Sequence, residues 1–392
     1  MKNILVTGAG GFIGRNLCVA LRRGGFEVLE FNRSQSASSL SKLAARADLV
    51  FHLAGVNRPK DEKEFMEGNA NLTRELCECL AATGRRIPLV FSSSIQAEWD
   101  NPYGRSKKAA EDAVLQYHRE NSAPLYIYRF PNVFGKWSRP DYNTVVATFC
   151  YNISRGLPVQ ISDRAKPYRF AYVDDIVRAF LKIVARPEHD LATTRYELQP
   201  VYSITLGELY DLIMSFHDGR KKCLVPNLSD QLVKYLYSTY ISFCDTGDLA
   251  YAVDPKTDDR GWLFELVKSP CAGQIFVSCT RPGITRGNHY HDTKIEKFCV
   301  IQGEGIIRFR HILKGEIIEY PVSDRAIRVV DIPPGYTHSI ENVGSGDMIT
   351  LFWANEIFDP QRPDTYFVQV KGDKGSAPRK EDHRFSDPLP SM

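Results

Sequence analysis

The chain has 392 residues, 43% of them hydrophobic and 25% charged, with a formal net charge of +3. This length allows two or three domains, and the small charge gives no electrostatic case for a nucleic acid or a membrane surface as partner. No apolar run reaches the ~20 residues of a bilayer span, and nine scattered cysteines without a C-x-x-C pair, after a start that runs directly into an apolar strand, predict a cytoplasmic protein.

Up to residue 130, short apolar runs alternate with helical periodicity. Strands are predicted at Ile4–Thr7, Phe26–Phe31, Leu49–Ala54, Leu89–Ser92 and Leu125–Phe130. Helices are predicted at Ile13–Arg23, Glu62–Ala82 and Ser106–Arg119. In the last of these, Ala109, Ala110, Ala113, Val114 and Tyr117 share one face. Strands alternating with helices predict an α/β unit, a parallel sheet covered on both faces. Residues 131–245 are more helical, with helices predicted at Val173–Ala185, Thr205–Phe216 and Ser229–Ser242; they read as a small lobe. From Thr246, short strands alternate with turn residues: Gln274–Cys279, Lys297–Ile301, Gly305–Phe309, Glu316–Tyr320, Ile327–Ile332 and Met348–Trp353. This spacing predicts a barrel or sandwich. The expected division is 1–245, 246–372 and a polar tail, 373–392, partly disordered. A connecting loop is expected at Asp254–Gly261, and no internal repeat is visible.

Gly8, Gly11 and Gly14 follow the first strand as G-x-x-G-x-x-G and open a helix through Phe12 and Ile13. The first glycine allows a tight turn, the second close approach of backbone N–H groups to a pyrophosphate, and the third close helix–strand packing. The helix N-terminus adds positive partial charge. The second strand ends in Glu30-Phe31-Asn32-Arg33. Asn32 and Arg33 lie where the ribose is read, and a guanidinium there suits a 2′-phosphate, favouring NADPH; a solvated Arg33 is the alternative. Tyr103 and Lys107 lie four apart at a helix start, where an ammonium beside a phenol favours the phenolate. Ser92-Ser93-Ser94 ends the preceding strand and supplies a hydroxyl for a substrate oxygen.

These elements resemble the extended short-chain dehydrogenase/reductase family that acts on nucleotide sugars. The likeness runs from Gly8 to about Phe180. It includes Asp48-Leu49-Val50-Phe51-His52-Leu53-Ala54-Gly55, Arg129-Phe130-Pro131-Asn132-Val133-Phe134-Gly135 and Arg169-Phe170-Ala171-Tyr172-Val173-Asp174-Asp175. The resemblance implies a Rossmann-type sheet. It also implies Ser94, Tyr103 and Lys107 as the catalytic set. Leu53, Ala54, Gly55 and Pro131 would join the cofactor site, and Asn132 and Arg169 would hold the nucleotide diphosphate. Family dehydratases carry an acidic pair after the catalytic hydroxyl; here Ile95-Gln96 follows Ser94, which argues against water elimination. The family's 4-epimerases usually end the second strand in an acid, so Arg33 points to exchangeable NADPH and a net reductase.

In the last third, Gly283, His289, His291, Glu296 and Gly303 fit G-x5-H-x-H-x4-E-x6-G, and Pro333, Gly335, His338 and Asn342 fit P-x-G-x2-H-x3-N. Both halves resemble the cupin signature, which implies an all-β barrel. On a strand His289 and His291 face one side; with Glu296 and His338 they form a predicted divalent-metal site, zinc being the first choice among Zn²⁺, Fe²⁺, Mn²⁺ and Ni²⁺. Glu304, His311 and Asp331 are candidates by composition for a base beside it. An extended reductase fused to a cupin resembles the bifunctional capsule and O-antigen enzymes of the CapF/WbjC type. That resemblance, which extends to Asn101-Pro102-Tyr103 and Asn355-Glu356-Ile357-Phe358, implies two steps on one substrate. The cupin would epimerise C3 of a UDP-4-keto-6-deoxy-N-acetylhexosamine, and the reductase would reduce C4 with NADPH to UDP-N-acetyl-6-deoxy-L-talosamine, on the route to UDP-N-acetyl-L-fucosamine. A homodimer is expected, since cupins often pair through their barrels. A nucleotide-sugar 4-epimerase with a structural cupin and a non-catalytic NADP(H) sensor remain as alternatives.

Overall fold

The computed structural model describes residues 2–142, 144–185, 191–252, 256–258, 261–263, 273–356 and 361–371. The chain forms two compact units. One holds the residues up to Thr144 together with Tyr168–Ser203; the other holds Val145–Pro167 and the described residues from Ile204 on.

The first unit opens with β1 (Asn3–Thr7), α1 (Phe12–Arg23), β2 (Glu27–Phe31), α2 (Ala37–Arg46) and β3 (Leu49–His52). A short α3 (Lys63–Phe65) passes through a π-type turn at Met66–Asn71 into α4 (Leu72–Ala81). β4 (Leu89–Ser94), a 3-10 turn at Ile95–Glu98, α5 (Pro102–Asn121), β5 (Leu125–Phe130) and β6 (Asn132–Phe134) follow. After α6 (Val145–Ser154), which belongs to the second unit, come β7 (Pro167–Tyr172), α7 (Val173–Ala185) and β8 (Arg195–Tyr196).

Six parallel strands run in the order β2-β1-β3-β4-β5-β8. Successive side chains of a strand face opposite sides, and both sides are apolar. Ile4, Val6 and Phe51 pack with Leu17, Leu21, Ile176 and Phe180. Leu5, Val50 and Phe91 pack with Leu76, Leu80, Val114 and Tyr117. Each such fully buried side chain stabilises the unit by about 1.5–3 kcal/mol. β1 lies between β2 and β3, so the connections from β1 and β3 leave in opposite directions. A crevice at that reversal is where ligands bind open α/β sheets.

β9 (Tyr202–Thr205) leads into α8 (Leu206–Lys221), whose N-terminus carries a capping box between Thr205 and Glu208. α9 (Gln231–Phe243) follows. The barrel strands are β10 (Ala250–Ala252), β11 (Lys256–Asp258), β12 (Gly261–Leu263), β13 (Gln274–Thr280), β14 (Thr285–Tyr290), β15 (Glu296–Gln302), β16 (Glu304–His311), β17 (Ile317–Ser323), β18 (Arg328–Ile332), β19 (Tyr336–Asn342), β20 (Met348–Ala354) and β21 (Tyr366–Phe367). They form two five-stranded sheets, β10-β18-β15-β20-β13 and β17-β16-β19-β14-β21, with β11 and β12 paired separately. The fold is therefore a parallel Rossmann-like sheet followed by a cupin-like β domain.

α6, α8 and α9 group with the barrel in the second unit. Arg220 on α8 is ion-paired to Asp331 on β18 at 2.7 Å, and Ser238 on α9 donates to the Thr293 carbonyl at 3.1 Å.

Several boundaries differ from expectation for local reasons. α5 begins at Pro102, not Ser106, because Asn101 caps it by accepting from Gly104 N at 2.7 Å and proline is accommodated in the first turn. The helix expected at Glu62–Ala82 is interrupted by the π-type turn. Inside the expected loop Asp254–Gly261, Lys256–Asp258 is β11 and Gly261 opens β12. The rest of that loop, the tail 373–392 and Ile357-Phe358 lie outside the described residues. Among the described residues no helix is long and apolar enough to cross a membrane.

Candidate functional site

The glycine loop lies at the sheet reversal and is shaped by three missing side chains. Gly8 has φ +69°, and a Cβ there would fall 2.7 Å from Ala54 N. A Cβ on Gly14 would fall 2.1 Å from the Gly8 carbonyl oxygen. Gly11 N donates to that same oxygen at 2.9 Å. Gly8 therefore lets the β1–α1 turn close against the loop after β3, where Leu53, Ala54 and Gly55 stand, and Gly14 lets α1 close onto the turn itself. Gly11 is the N-cap of α1, with no side-chain cap and no acid in the first turn. The first amide groups of the helix, from Phe12 and Ile13 onward, remain available to a phosphate. This cradle fits a dinucleotide.

Asn32 accepts from Gly10 N at 2.6 Å and so ties the end of β2 to the loop. Arg33 is exposed, with Nη2 3.3 Å from Glu64 Oε2. Glu30, the nearest acid on β2, is held by Arg22 of α1. Beneath the loop His52 is fully buried. Its Nδ1 pairs with Thr7 Oγ1 at 2.6 Å and its Nε2 with Thr73 Oγ1 at 2.8 Å. Burial, then the nearby Lys107 charge, push the imidazole down to about 3, so it stays neutral and joins β1, β3 and α4.

Ser94, Tyr103 and Lys107 are brought together by a short return. Ser94 ends β4 and accepts from Gln96 N at 3.2 Å, starting the 3-10 turn. That turn packs so closely on α5 that a Cβ on Gly104 would lie 2.3 Å from both the Gln96 and Trp99 carbonyl oxygens. Tyr103 follows in the first turn of α5, one turn before Lys107 on the same side of the helix. Lys107 Nζ donates to the Ser92 carbonyl at 2.6 Å and lies 4.7 Å from the Phe91 ring centroid. Burial pushes the Lys107 amine down to about 8, with Glu111 pulling the other way. The sequence reading has the ammonium lowering Tyr103. Instead burial raises the phenol and Ser94 works against it, because Nζ is turned to Ser92.

Pro131 joins β5 to β6. Asn132 on β6 donates from Nδ2 to the Arg169 carbonyl at 3.3 Å, and both side chains are exposed on the β6–β7 pair.

The second cluster lies between the two barrel sheets. His289 and His338 face each other on β14 and β19, and Glu296 opens β15. His291 falls just beyond β14. A bulge between Gly287 and His289 sets His289, rather than Asn288, opposite His338, with Asn288 at φ 58° and Gly287 at φ 100°. A Cβ on Gly287 would meet the His338 carbonyl oxygen at 2.9 Å. One ligand atom from each of His289, His291, Glu296 and His338 lies within 4.8 Å of all the others. His291 Nε2 and His338 Nε2 stand 3.2 and 3.4 Å from Glu296 Oε2. All three atoms are buried without a hydrogen-bond partner. Three imidazoles and a carboxylate, with the His291, His338 and Glu296 atoms left unpaired in this way, fit a divalent cation. Burial pushes Glu296 up, but His291 and His338 outweigh it and hold the carboxyl well below its usual range.

Asp364, which the sequence reading did not identify, organises the rim. Its carbonyl pairs with His291 Nδ1 at 2.6 Å, leaving Nε2 for the cage. Its carboxylate accepts from the backbone N–H groups of Asp292, Thr293 and Lys294 at 2.8–3.0 Å. Asn342 is structural, donating to the Thr280 and Gly346 carbonyls. Of the candidate bases, Asp331 is buried in ion pairs with Lys297 and Arg220, Glu304 pairs with Arg325 at 3.1 Å, and His311 accepts from Leu313 N at 3.1 Å.

Residues 4–198 match the NAD dependent epimerase/dehydratase family, and residues 256–366 match the polysaccharide biosynthesis C-terminal domain. Over 368 residues the chain is 45% identical to the UDP-2-acetamido-2,6-beta-L-arabino-hexul-4-ose reductase of Pseudomonas aeruginosa, covering 94% of this chain and 98% of that protein. It is also similar to the crystal structure of the capsular polysaccharide assembling protein CapF from Staphylococcus aureus, with TM-score 0.65, 44% identity, and coverage of 94% of this chain and 100% of that one. A second CapF structure, with the inhibitor 3-isopropenyl-tropolone, gives TM-score 0.60 and 40% identity over the same shares. The chain thus belongs to the CapF-like family of the Pseudomonas UDP-4-keto-sugar reductase, which joins an NAD(P)-binding epimerase/dehydratase domain to a polysaccharide biosynthesis C-terminal domain.

Proposed function

We propose that this chain reduces the C4 ketone of a UDP-2-acetamido-2,6-dideoxy-hexos-4-ulose with NADPH, after its barrel has epimerised C3 of the same sugar. The product is UDP-N-acetyl-6-deoxy-L-talosamine, a precursor of UDP-N-acetyl-L-fucosamine. The carrying observation is the convergence of Ser94, at the end of β4, with Tyr103 and Lys107 on the first turns of α5, where Lys107 reaches back to the Ser92 carbonyl, in a chain 45% identical to a reductase of that substrate class. Work divides along the sequence, with reduction in 1–245 and the metal step in 246–372.

NADPH held by the glycine loop would supply the hydride for the carbonyl carbon. Tyr103 gives its proton to the developing C4 alkoxide, Ser94 donates a hydrogen bond to the same oxygen, and Lys107 holds positive charge beside them. Asn132 and Arg169 bind the nucleotide diphosphate. Arg33, exposed at the end of β2, meets the 2′-phosphate. In the barrel, His289, His291, Glu296 and His338 would hold a divalent ion, zinc by its donor set, and that ion would supply Lewis-acid polarisation of the substrate carbonyl and so acidify the adjacent C3–H.

The test follows NADPH absorbance and C3–H exchange in D₂O with the UDP-4-keto sugar. Tyr103→Phe should lower reduction by about 10²–10⁴-fold while exchange persists. Loss of both activities in a folded variant would contradict two separable sites.

A further inference from the structure

Two consecutive residues at the end of β4 bond to α5, one helical turn apart on the helix. The Ser92 carbonyl accepts from Lys107 Nζ at 2.6 Å, and Ser93 Oγ donates to Glu111 Oε1 at 2.5 Å. Tyr103, Lys107 and Glu111 are spaced four apart, so they form one stripe along the helix. Glu111 is fully buried. An isolated carboxylate there would be very costly, but Arg129 answers it twice, from Nε at 2.8 Å and from Nη2 at 2.6 Å. Arg129 is the β5 partner of Ser93 in the sheet register. Its third contact, from Nη1, reaches Glu98 at 2.5 Å, on the turn immediately after Ser94. One guanidinium therefore ties together α5, the end of β4 and the turn that aims Ser94.

We propose that Glu111, with Arg129, is a positioning residue for ketone reduction: it fixes the seam between β4 and α5 that sets Ser94, Tyr103 and Lys107 relative to one another. This rests on the reductase reading above. Neither residue need touch substrate or cofactor. The carboxylate also supports the ammonium one turn away, since Glu111 works against the burial that pushes Lys107 down. The other charged or titratable groups around the seam are His52 on β3, kept neutral by burial, Tyr103 on α5, Arg129 on β5, Arg195 on β8 and Glu98 on the turn.

The experiment measures kcat and KM for reduction of the UDP-4-keto sugar from pH 6 to 10, with NADPH affinity by calorimetry, for native protein, Glu111→Gln, Glu111→Asp and Ser93→Ala. Glu111→Gln should lower kcat by about 10- to 100-fold, the scale of a small misplacement, while NADPH affinity stays within about twofold. Its alkaline limb should move to lower pH, because the amide no longer favours the Lys107 ammonium. Glu111→Asp should return that limb toward native. Should Glu111→Gln fail to fold, Ser93→Ala keeps the ion pair and should lower kcat with the limb unmoved. Unchanged kcat and pH profile in folded Glu111→Gln, or unchanged kcat in Ser93→Ala, overturns the proposal. Absence of reduction by the native protein overturns the functional reading alone. The seam is then read from the Lys107 ammonium by ¹⁵N NMR, whose pKa must fall in Glu111→Gln; an unmoved value overturns the positioning role.

Discussion

Asp331→Asn removes the central charge of a triad withdrawn from water. Oδ1 stands 2.5 Å from Lys297 Nζ, and Oδ2 stands 2.7 Å from Arg220 Nη2 and 2.9 Å from Nε. The aspartate and lysine side chains are each 3% exposed and Arg220 11%. Asparagine preserves the shape, but its one acceptor oxygen cannot serve both cations. One buried cation is left uncompensated, at a cost of about 3–5 kcal/mol. With a urea slope of about 2 kcal/mol/M, the midpoint should fall by about 1.5–2.5 M. The assay is urea unfolding followed by far-UV circular dichroism at constant metal content. Its pH dependence has a definite sign. Burial pushes Asp331 up, but Lys297 and Arg220 outweigh it and hold the group below its ordinary value. The stability it gives is complete above the unfolded value of about 4 and is lost as pH falls through the folded one. The gap between native and variant should therefore narrow in acid. A loss below about 1 kcal/mol at pH 7, the scale of a solvated ion pair, or a gap that ignores pH, would refute the buried-triad account. Asp331 pairs in register with Lys297, whereas the cage ligand Glu296 pairs with Ile332 and faces the other side of the sheet. The folded fraction should accordingly retain C3–H exchange.

Gly14→Ala places a Cβ 2.1 Å from the Gly8 oxygen, so the loop must open; calorimetry should show NADPH bound at least about tenfold more weakly, or about 1.4 kcal/mol. Arg33→Ser should weaken NADPH by about tenfold and leave NADH within about twofold; equal losses for the two cofactors would remove Arg33 from the 2′-phosphate site. His291→Ala should bring bound metal, measured by elemental analysis, close to zero with NADPH binding intact. Stoichiometric metal in that variant would show that the cage is misassigned.

The parallel sheet was legible because its strands are apolar on both faces and its helices have one apolar stripe. The cofactor loop was legible because three glycines answer three steric demands that the structure shows as Cβ clashes or a close carbonyl contact. β14 and β19 fall outside the strands predicted from apolar runs, and only the histidine spacing suggested the first of them. Their inward positions carry His289, His338 and Asn342 where apolar residues would normally mark alternation, so the polar cluster erased the signal of the strands that carry it. α2 was missed because Ala37–Arg46 is short and rich in serine. The Glu111–Arg129 pair needed the register of β4 against β5, although a glutamate four residues after Lys107 was a visible hint. Asp364 had no hint at all; it stands 73 positions from His291 and acts mainly through backbone groups.

The irregularity between Gly287 and His289 has an evolutionary reading. One surplus residue moves His289 into the place opposite His338 that a regular ladder would assign to Asn288. The four-residue cluster is thus specified partly by a count of amino acids and not only by their kinds. A single-codon deletion in this stretch would keep every donor in the gene and still disperse the quartet, so lineages that lost the cluster would look intact to any motif scan that tolerates gaps.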